Sequence, residues 1–218
     1  MAPHDLLLKS PTGRLKLKAP SEANDAENAR VRCHPVTRKY LRWLPEHFTI
    51  EEARKLREER RVNESLLEFH VYKTESDGGE HFVGGTMIFH IDTQHNSCEM
   101  GIILSPEAHG GGIATDGQLV TRVANKVADR HWGIAFYTML RYAFDERKFH
   151  RVTFETGADN LPMRGWLEKV AGARKESTRV HAWKDPENGG YSDVTGYAIL
   201  EDEWHNQVKG NLEKKLKL

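Results

Sequence analysis

The chain has 218 residues, 38% of them hydrophobic, and its 32 Lys and Arg residues balance 32 Asp and Glu residues. That length suits a single domain with one sizeable core, and the balanced charge provides no overall field that would attract nucleic acid or an anionic membrane. The sequence has no apolar run long enough for a membrane span or a secretory signal, so we expect a cytoplasmic, intracellular protein. Cys33 and Cys98 have no Cys or His at metal-ligand spacing, so we expect reduced thiols and no metal.

The first half of the sequence predicts a strand, two helices and three further strands. Apolar and polar residues alternate in GRLKLKAP, which predicts a strand. Ser21 and Thr49 are N-cap residues for two helical segments, SEANDAENARVR and TIEEARKLREERR, and the aromatic stretch YLRWLPEHF joins them. Strands follow in SLLEFHVYKT, HFVGGTMIFHID and SCEMGIILS, and ESDGGE predicts a hairpin between the first two.

The second half predicts a long helical region, a strand, a helix and two closing strands. Apolar residues recur at a helical period in QLVTRVANKVADRHW and in GIAFYTMLRYAFDERK. HRVTFETG predicts a strand, and NLPMRGWLEKVAG predicts a helix with Asn160 at its N-cap. TRVHAWKD and DVTGYAILEDEW predict the last strands. The order indicates one mixed α/β (α+β) domain.

Three consecutive glycines, Gly110 to Gly112, stand between a predicted strand and a predicted helix in SPEAHGGGIATDG. A backbone without Cβ atoms lets amide N–H groups approach a ligand, and the start of a helix adds about half a positive charge. This combination favours a phosphate group, although a flexible turn fits the glycines equally well. The stretch lacks the Lys of a Walker loop, and Thr115 stands where a dinucleotide-binding fingerprint needs glycine.

The same stretch resembles the pyrophosphate loop of the GNAT superfamily of acetyl-CoA-dependent N-acetyltransferases, most closely its RimJ/RimL-type branch, where Gly-x-Gly-φ-Ala-Thr is usual. Four further similarities follow in the family's order: YLRWLP and TIEEARKLREER resemble its acceptor-side helices, EMGIILSPE its fourth strand, LRYAFDERKFHRVTFETGADN its long helix and fifth strand, and DVTGYAILEDEW its closing strand. The resemblance covers residues 12–204 and leaves residues 1–11 as an N-terminal tail and residues 205–218 as a charged C-terminal tail. It implies a central mixed, mostly antiparallel sheet of about seven strands, flanked by helices, with the fourth and fifth strands splayed apart.

The resemblance also implies a reaction and a binding site. An acetyl group would move from acetyl-CoA, the co-substrate, to a primary amine of a small molecule or of a protein N-terminus. The backbone of the fourth strand would pair with the pantetheine arm, the glycine loop would hold the pyrophosphate, and Asn160 would bind the pantetheine arm unless it only caps its helix. The implied cofactor-binding residues are Ile102, Ile103, Leu104, His109, Gly110, Gly111, Gly112, Ile113, Ala114, Thr115 and Asn160.

Glu99 is the candidate general base. A lysine-type amine with a pKa of about 10.4 requires about 4–5 kcal/mol to become neutral at pH 7, and an α-amine requires about 1 kcal/mol, so a base near the acceptor assists the reaction. Glu99 matches a glutamate that the RimJ/RimL-type branch often carries; the alternative is a carboxylate that simply faces solvent. A backbone N–H of Ile102 or Ile103 would stabilise the oxyanion.

Several features depart from the family's pattern. Leu167 stands where many members carry a Tyr, and Met163 stands where the RimJ/RimL-type branch has a Ser, which leaves the acid for the CoA thiolate unassigned. Trp166 and Trp183 belong either to the site or to the core. The segment near residues 117–133 is longer than the family's helix, and three accounts fit it: an extended helix with a partner or dimer face, a helical hairpin broken at Gly133, or a translated intron.

The front helices carry mixed charges. Their basic and acidic residues include Arg38, Lys39, Arg42, Glu46, Glu51 and Glu52. Because a polyamine pocket would be clearly acidic, a small neutral amine or a peptide N-terminus is the favoured acceptor. The alternative function is a GNAT-fold module that binds acyl-CoA with weak turnover or none, and a homodimer stays open.

Overall fold

The computed structural model describes residues 4–109, 129–186 and 188–218. In these ranges, eight strands form one open sheet in the order β1-β2-β3-β4-β5-β6-β8-β7. The strands are β1 (Leu7–Lys9), β2 (Leu15–Lys18), β3 (Leu67–Thr74), β4 (Glu80–Asp92), β5 (Ser97–Leu104), β6 (Arg151–Gly157), β7 (Arg174–Lys184) and β8 (Tyr191–Leu200). All neighbouring pairs are antiparallel except β5 and β6, which are parallel. The expected mixed, mostly antiparallel sheet is therefore confirmed.

One strand more than expected lies in the part of the chain that the sequence assigned to an N-terminal tail. Leu7 to Lys9 pair with the end of β2, and Leu8 is buried in the core. Three residues are too few for the alternation of apolar and polar positions to show, so only the pairing reveals this strand.

Helices cover both faces of the sheet. α1 (Asp25–Cys33), α2 (Pro35–Arg38) and α3 (Ile50–Arg61) come from the first half of the chain, and α3 begins with the capping box of Thr49 and Glu52. Their polar contacts reach the even positions of β3, where Asn24 bonds to His70 and Tyr72. The odd positions of β3, Phe69 and Val71, lie in the hydrophobic core on the opposite face.

That core lies under helices from the second half of the chain. α4 (Asp129–Arg141) continues through a π-helical turn, Tyr142–Glu146, and α5 (Leu161–Trp166) continues through a second one, Leu167–Ala171. The Trp166 ring stacks on Phe136 of α4 with centroids 5.2 Å apart and is buried, so Trp166 belongs to the core. None of the helices in the described ranges combines the length and the apolar character that a membrane span requires.

The C-terminal segment is not a tail, contrary to the expectation for residues 205–218. Helical structure runs through α6 (Glu201–Glu203), a π-helical turn (Trp204–Val208) and α7 (Lys209–Leu216). Val208, Leu212 and Leu216 recur every four residues and are buried in the core, which leaves the charged residues between them on the outside. The Tyr137 hydroxyl also donates a hydrogen bond to Glu213 Oε1 over 2.6 Å.

Gly133 does not break a helix. It lies inside α4, where an added Cβ would come within 3.1 Å of Leu216 Cδ2 and 3.2 Å of Trp166 Nε1. A glycine at this position lets α4 approach α5 and α7 closely, which excludes the hairpin account with its break at Gly133. Residues 117–128 of the long segment fall outside the described ranges, so the other two accounts stay predictions.

The two central strands, β5 and β6, pair at one end and then diverge. β5 and β6 pair only over Ser97 to Glu99 and Arg151 to Thr153. Beyond Glu99, β5 pairs with β4 alone within the described residues, so the splay expected for the fourth and fifth strands of the family is confirmed.

Candidate active site

Among the residues that the structure describes, the splay leaves one edge of β5 without a partner strand over its second half. Ser105 N donates to Val83 O over 2.8 Å, which makes Ser105 and, by alternation, Ile103 the residues whose backbone groups face β4. The N–H and C=O groups of Ile102 and Leu104 point the other way, into the gap. Of the three residues predicted to bind pantetheine, Ile102 and Leu104 thus have backbone groups at the open edge, whereas those of Ile103 belong to the ladder with β4.

Gly84 lets β4 approach β5 at this edge. Its φ is +139°, and an added Cβ would lie 2.2 Å from the carbonyl oxygen of Ile103 and 2.7 Å from Leu104 Cα. No other residue type fits such an approach without moving one of the strands. Gly84 therefore fixes the position of the β5 segment that borders the gap.

Glu99 lies at the point where the strands divide. It is opposite Phe89 on β4 and Thr153 on β6, and its side chain is only 17% exposed. Burial raises the pKa of its carboxyl group above the usual 4.5, and the hydrogen bond between Glu99 and His90 opposes this shift. A carboxyl group with a raised pKa at the head of an open strand edge is chemically suited to accept a proton, and the solvent-facing alternative does not describe it.

Two further charged groups act on the same carboxyl. Glu155 of β6 raises the pKa of Glu99, and Arg179 of β7 lowers it. Glu155 and Arg179 also form an ion pair with each other, so their opposite effects on the pKa of Glu99 partly cancel. Glu155 lies opposite the core face, because it alternates with the buried Val152 and Phe154 along β6, and its ion pair places the Arg179 guanidinium on the same side.

A small cavity lies beside the end of β6. Its wall combines aromatic side chains with charged groups: Tyr40, Arg42, Trp43, Gly157, Asp159, Trp183, Lys184 and Ser192. The guanidinium of Arg42 donates to Asp159 and, over 2.9 Å, to Asp185. Trp183 thus belongs to this cavity rather than to the core. Arg42 joins three segments that are far apart in the sequence, and no local pattern indicated this link.

Asn160 is a helix cap. Its Oδ1 accepts a hydrogen bond from Met163 N over 3.3 Å, and its Nδ2 donates to Thr156 Oγ1 over 2.9 Å. The capping interpretation is confirmed, and a contact with pantetheine stays a prediction. Leu167 is fully buried, so the core occupies the position where many GNAT enzymes place a tyrosine.

The glycine loop begins directly after β5. Pro106 to His109 form a 3-10 turn, and Arg30 of α1 donates two hydrogen bonds of 3.1 Å to the carboxylate of Glu107, which holds its pKa well below the usual range. The predicted phosphate-binding residues Gly110, Gly111, Gly112, Ile113, Ala114 and Thr115 lie outside the described residues, as does the side chain of His109. Among the described residues, no group of three His, Cys, Asp or Glu side chains is arranged to hold a metal ion.

Solved structures with the same fold come from several bacteria. A spermidine N-acetyltransferase from Vibrio cholerae in complex with CoA and spermine superposes with a TM-score of 0.69 at 20% identity, over 88% of this chain and 99% of that one. A GCN5-related N-acetyltransferase from Brucella melitensis gives 0.70 at 18% identity, over 98% and 86% of the two chains. An acetyltransferase of the GNAT family from Bacillus anthracis gives 0.66 at 20% identity, over 91% and 100%.

Sequence comparison gives the family. A search of curated proteins found no match. The model of the acetyltransferase (GNAT) domain matches residues 14–172, which is well over half of the chain and includes the splayed strands and Glu99. The chain therefore belongs to the GNAT family of acetyltransferase domains and is an acyltransferase.

Proposed function

We propose that the protein is an N-acetyltransferase of the RimJ/RimL type that transfers an acetyl group from acetyl-CoA to a primary amine by direct attack. The observation that carries this proposal is the position of Glu99, a largely buried carboxyl group at the head of the open β5 edge. The edge offers backbone groups to an extended ligand, and the carboxyl offers a base beside it.

Acetyl-CoA would lie along the gap between β5 and β6. The backbone groups of Ile102 and Leu104 would pair with the pantetheine arm, as an added strand pairs with a sheet edge. The segment from His109 to Thr115 would surround the pyrophosphate, as a glycine-rich stretch before the start of a helix does in general. The CoA complex of the structurally similar Vibrio cholerae enzyme supports this donor.

The residues of the gap supply the proton transfer and the charge stabilisation. Glu99 takes a proton from the protonated amine, directly or through a water molecule, and the neutral nitrogen attacks the thioester carbonyl carbon. The backbone N–H of Ile102 is directed into the gap and would stabilise the oxyanion. Collapse of the tetrahedral intermediate breaks the C–S bond, and the second proton of the nitrogen is transferred to the CoA sulfur.

The charges near the cavity favour a small neutral amine or a peptide N-terminus over a polyamine. Arg42 bonds to both Asp159 and Asp185, and Arg179 bonds to Glu155, so each of these carboxylates already has a guanidinium partner. A polycation needs unpaired negative charge to bind tightly. The spermidine N-acetyltransferases among the similar structures support an amine acceptor in general.

Two residues favour a second function, an acyl-CoA-binding module with little turnover or none. The core fills the position of the family's usual tyrosine with Leu167, and Met163 replaces a serine. Such a protein would bind acetyl-CoA tightly and transfer its acetyl group to an amine slowly or not at all.

The test is a panel of primary amines assayed with acetyl-CoA by the release of the CoA thiol. The panel contains phenethylamine, a dipeptide with a free N-terminus and spermidine. We expect turnover of one of the first two, and we expect Glu99→Gln to lower kcat/KM by about 10²–10⁴-fold without changing acetyl-CoA affinity. Glu146→Gln, at an exposed site, is the control. Binding of acetyl-CoA without turnover of any amine would instead support the second function.

A further inference from the structure

His90 has an unusual backbone conformation next to Glu99. Its φ is +51°, in the left-handed region that is uncommon for residues other than glycine. It lies where the pairing of β4 with β5 shifts between Phe89 and Asp92. Such a conformation persists only where the surrounding structure requires it.

The conformation brings the imidazole to the carboxyl group. His90 Nδ1 lies 3.2 Å from Glu99 Oε2. The Glu99 side chain is 17% exposed and the His90 side chain 76% exposed, so the contact joins a largely buried carboxyl to solvent. The other charged groups that act on Glu99, Glu155 of β6 and Arg179 of β7, are paired with each other.

We propose that His90 positions Glu99 and passes protons from its carboxyl group to solvent. The inference rests on the proposed function, because it gives Glu99 the role of base. His90 itself does not contact the reacting atoms, so it acts through Glu99.

The proton balance of the reaction requires such an exit. A protonated amine and acetyl-CoA give the amide, the CoA thiol and one free proton. The nitrogen loses two protons: one goes to the sulfur, and the other goes to Glu99, which must release it before the next turnover. In the proposed path the neutral imidazole starts with its proton on Nε2. The O–H bond on Glu99 breaks as an N–H bond forms at His90 Nδ1, and the Nε2–H bond then breaks as its proton passes to water. Exchange of the ring protons with water, to which the His90 side chain is 76% exposed, returns the proton to Nε2 before the next turnover.

The test is His90→Asn, because asparagine tolerates a positive φ and keeps a hydrogen-bond donor but cannot relay a proton. His181→Asn is the matched control, since His181 is also exposed with a φ of +50° and its backbone N–H bonds to Asp193 instead. Steady-state rates are measured with the three amines of the panel over a pH series, at low and high buffer concentration. A second variant, His90→Gly, relieves the backbone strain and is assayed with and without added imidazole.

We expect His90→Asn to lower kcat by about tenfold or more with little change in the KM for acetyl-CoA, and high buffer or imidazole to restore part of the rate in the two variants. An unchanged kcat in His90→Asn, together with a strongly impaired Glu99→Gln, would overturn the relay and leave the proposed function intact. A fully active Glu99→Gln, or a wild type that neither binds acetyl-CoA nor acetylates an amine, would overturn both. A loss of kcat in His90→Gly that imidazole and buffer do not restore would also overturn the relay.

Discussion

At the scale of single residues, the environment of Glu99 predicts the pH dependence of the reaction. Burial raises the pKa of its carboxyl group, and a base acts only when it is deprotonated. The kcat/KM should therefore rise with pH along an acidic limb whose midpoint lies above 4.5, the usual value for Glu. The limb should disappear in Glu99→Gln and persist in Glu146→Gln. An acidic limb that both variants share would assign it to another group.

His70 predicts a second pH effect, on stability. It is buried between β3 and the first helices, and burial lowers its pKa from 6.5 to about 4. Between pH 4 and pH 6.5 the unfolded chain therefore binds more protons than the folded chain. The stabilising contribution of neutral, buried His70 is complete above pH 6.5 and is lost as the pH falls towards 4. Over that window the loss amounts to about 3 kcal/mol.

Urea unfolding at a series of pH values tests this effect with His70→Asn, which keeps a hydrogen-bond acceptor near the position of Nδ1. The difference in the free energy of unfolding between wild type and variant should shrink as the pH falls from 6.5 to 4. The exposed His95→Asn serves as the control. Curves for wild type and His70→Asn that stay parallel would contradict the account.

At the scale of secondary-structure elements, the close approach of β4 and β5 depends on one glycine. Gly84→Ala places a Cβ 2.2 Å from Ile103 O, so we expect it to destabilise the protein by at least about 2 kcal/mol and to weaken acetyl-CoA binding by displacing the open edge. Gly85→Ala is the matched control, because its nearest contact is Phe69 O at 3.5 Å. Equal urea midpoints for the two variants would show that the strands adjust without cost.

The buried apolar side chains of the C-terminal helix α7 should contribute to stability, so shortening one of them should destabilise the protein. Leu212 is fully buried, so Leu212→Ala should lower the free energy of unfolding by about 2–5 kcal/mol. Lys214→Ala, two residues further on and exposed, should change it by less than about 0.5 kcal/mol. Urea unfolding that does not separate the two variants would mean that α7 is not part of the cooperative core.

The sequence patterns predicted most elements because those signals are local. Alternation in β2, the N-cap at Thr49 and the cap at Asn160 each involve residues a few positions apart. The sequence patterns did not predict β1, because it has only three residues. They did not predict α7, because charged residues surround its apolar positions. The hydrogen bond of His90 to Glu99 depends on a register shift, and the links of Arg42 depend on the folded sheet. Neither leaves a periodic trace in the sequence.

At the scale of the whole molecule, the site is a junction of distant segments. Residues of β4, β5, β6 and β7 meet around Glu99, and Arg42 ties the segment between α2 and α3 to the ends of β6 and β7. The family match covers the strands that carry Glu99 and the open edge. We therefore expect the open β5 edge, Glu99 and the glycine loop to bind acetyl-CoA together, with its pyrophosphate on the loop.

The most direct test of that claim is isothermal titration of the full chain with acetyl-CoA. We predict saturable binding by the wild type, loss of binding in Gly112→Glu because a carboxylate would repel the pyrophosphate, and unchanged binding in Gly210→Glu, where the same charge is added at an exposed position of α7 with nothing within 4 Å of its Cβ. A folded wild type that does not bind acetyl-CoA, or a Gly112→Glu variant that binds it as tightly as the wild type, would contradict the account.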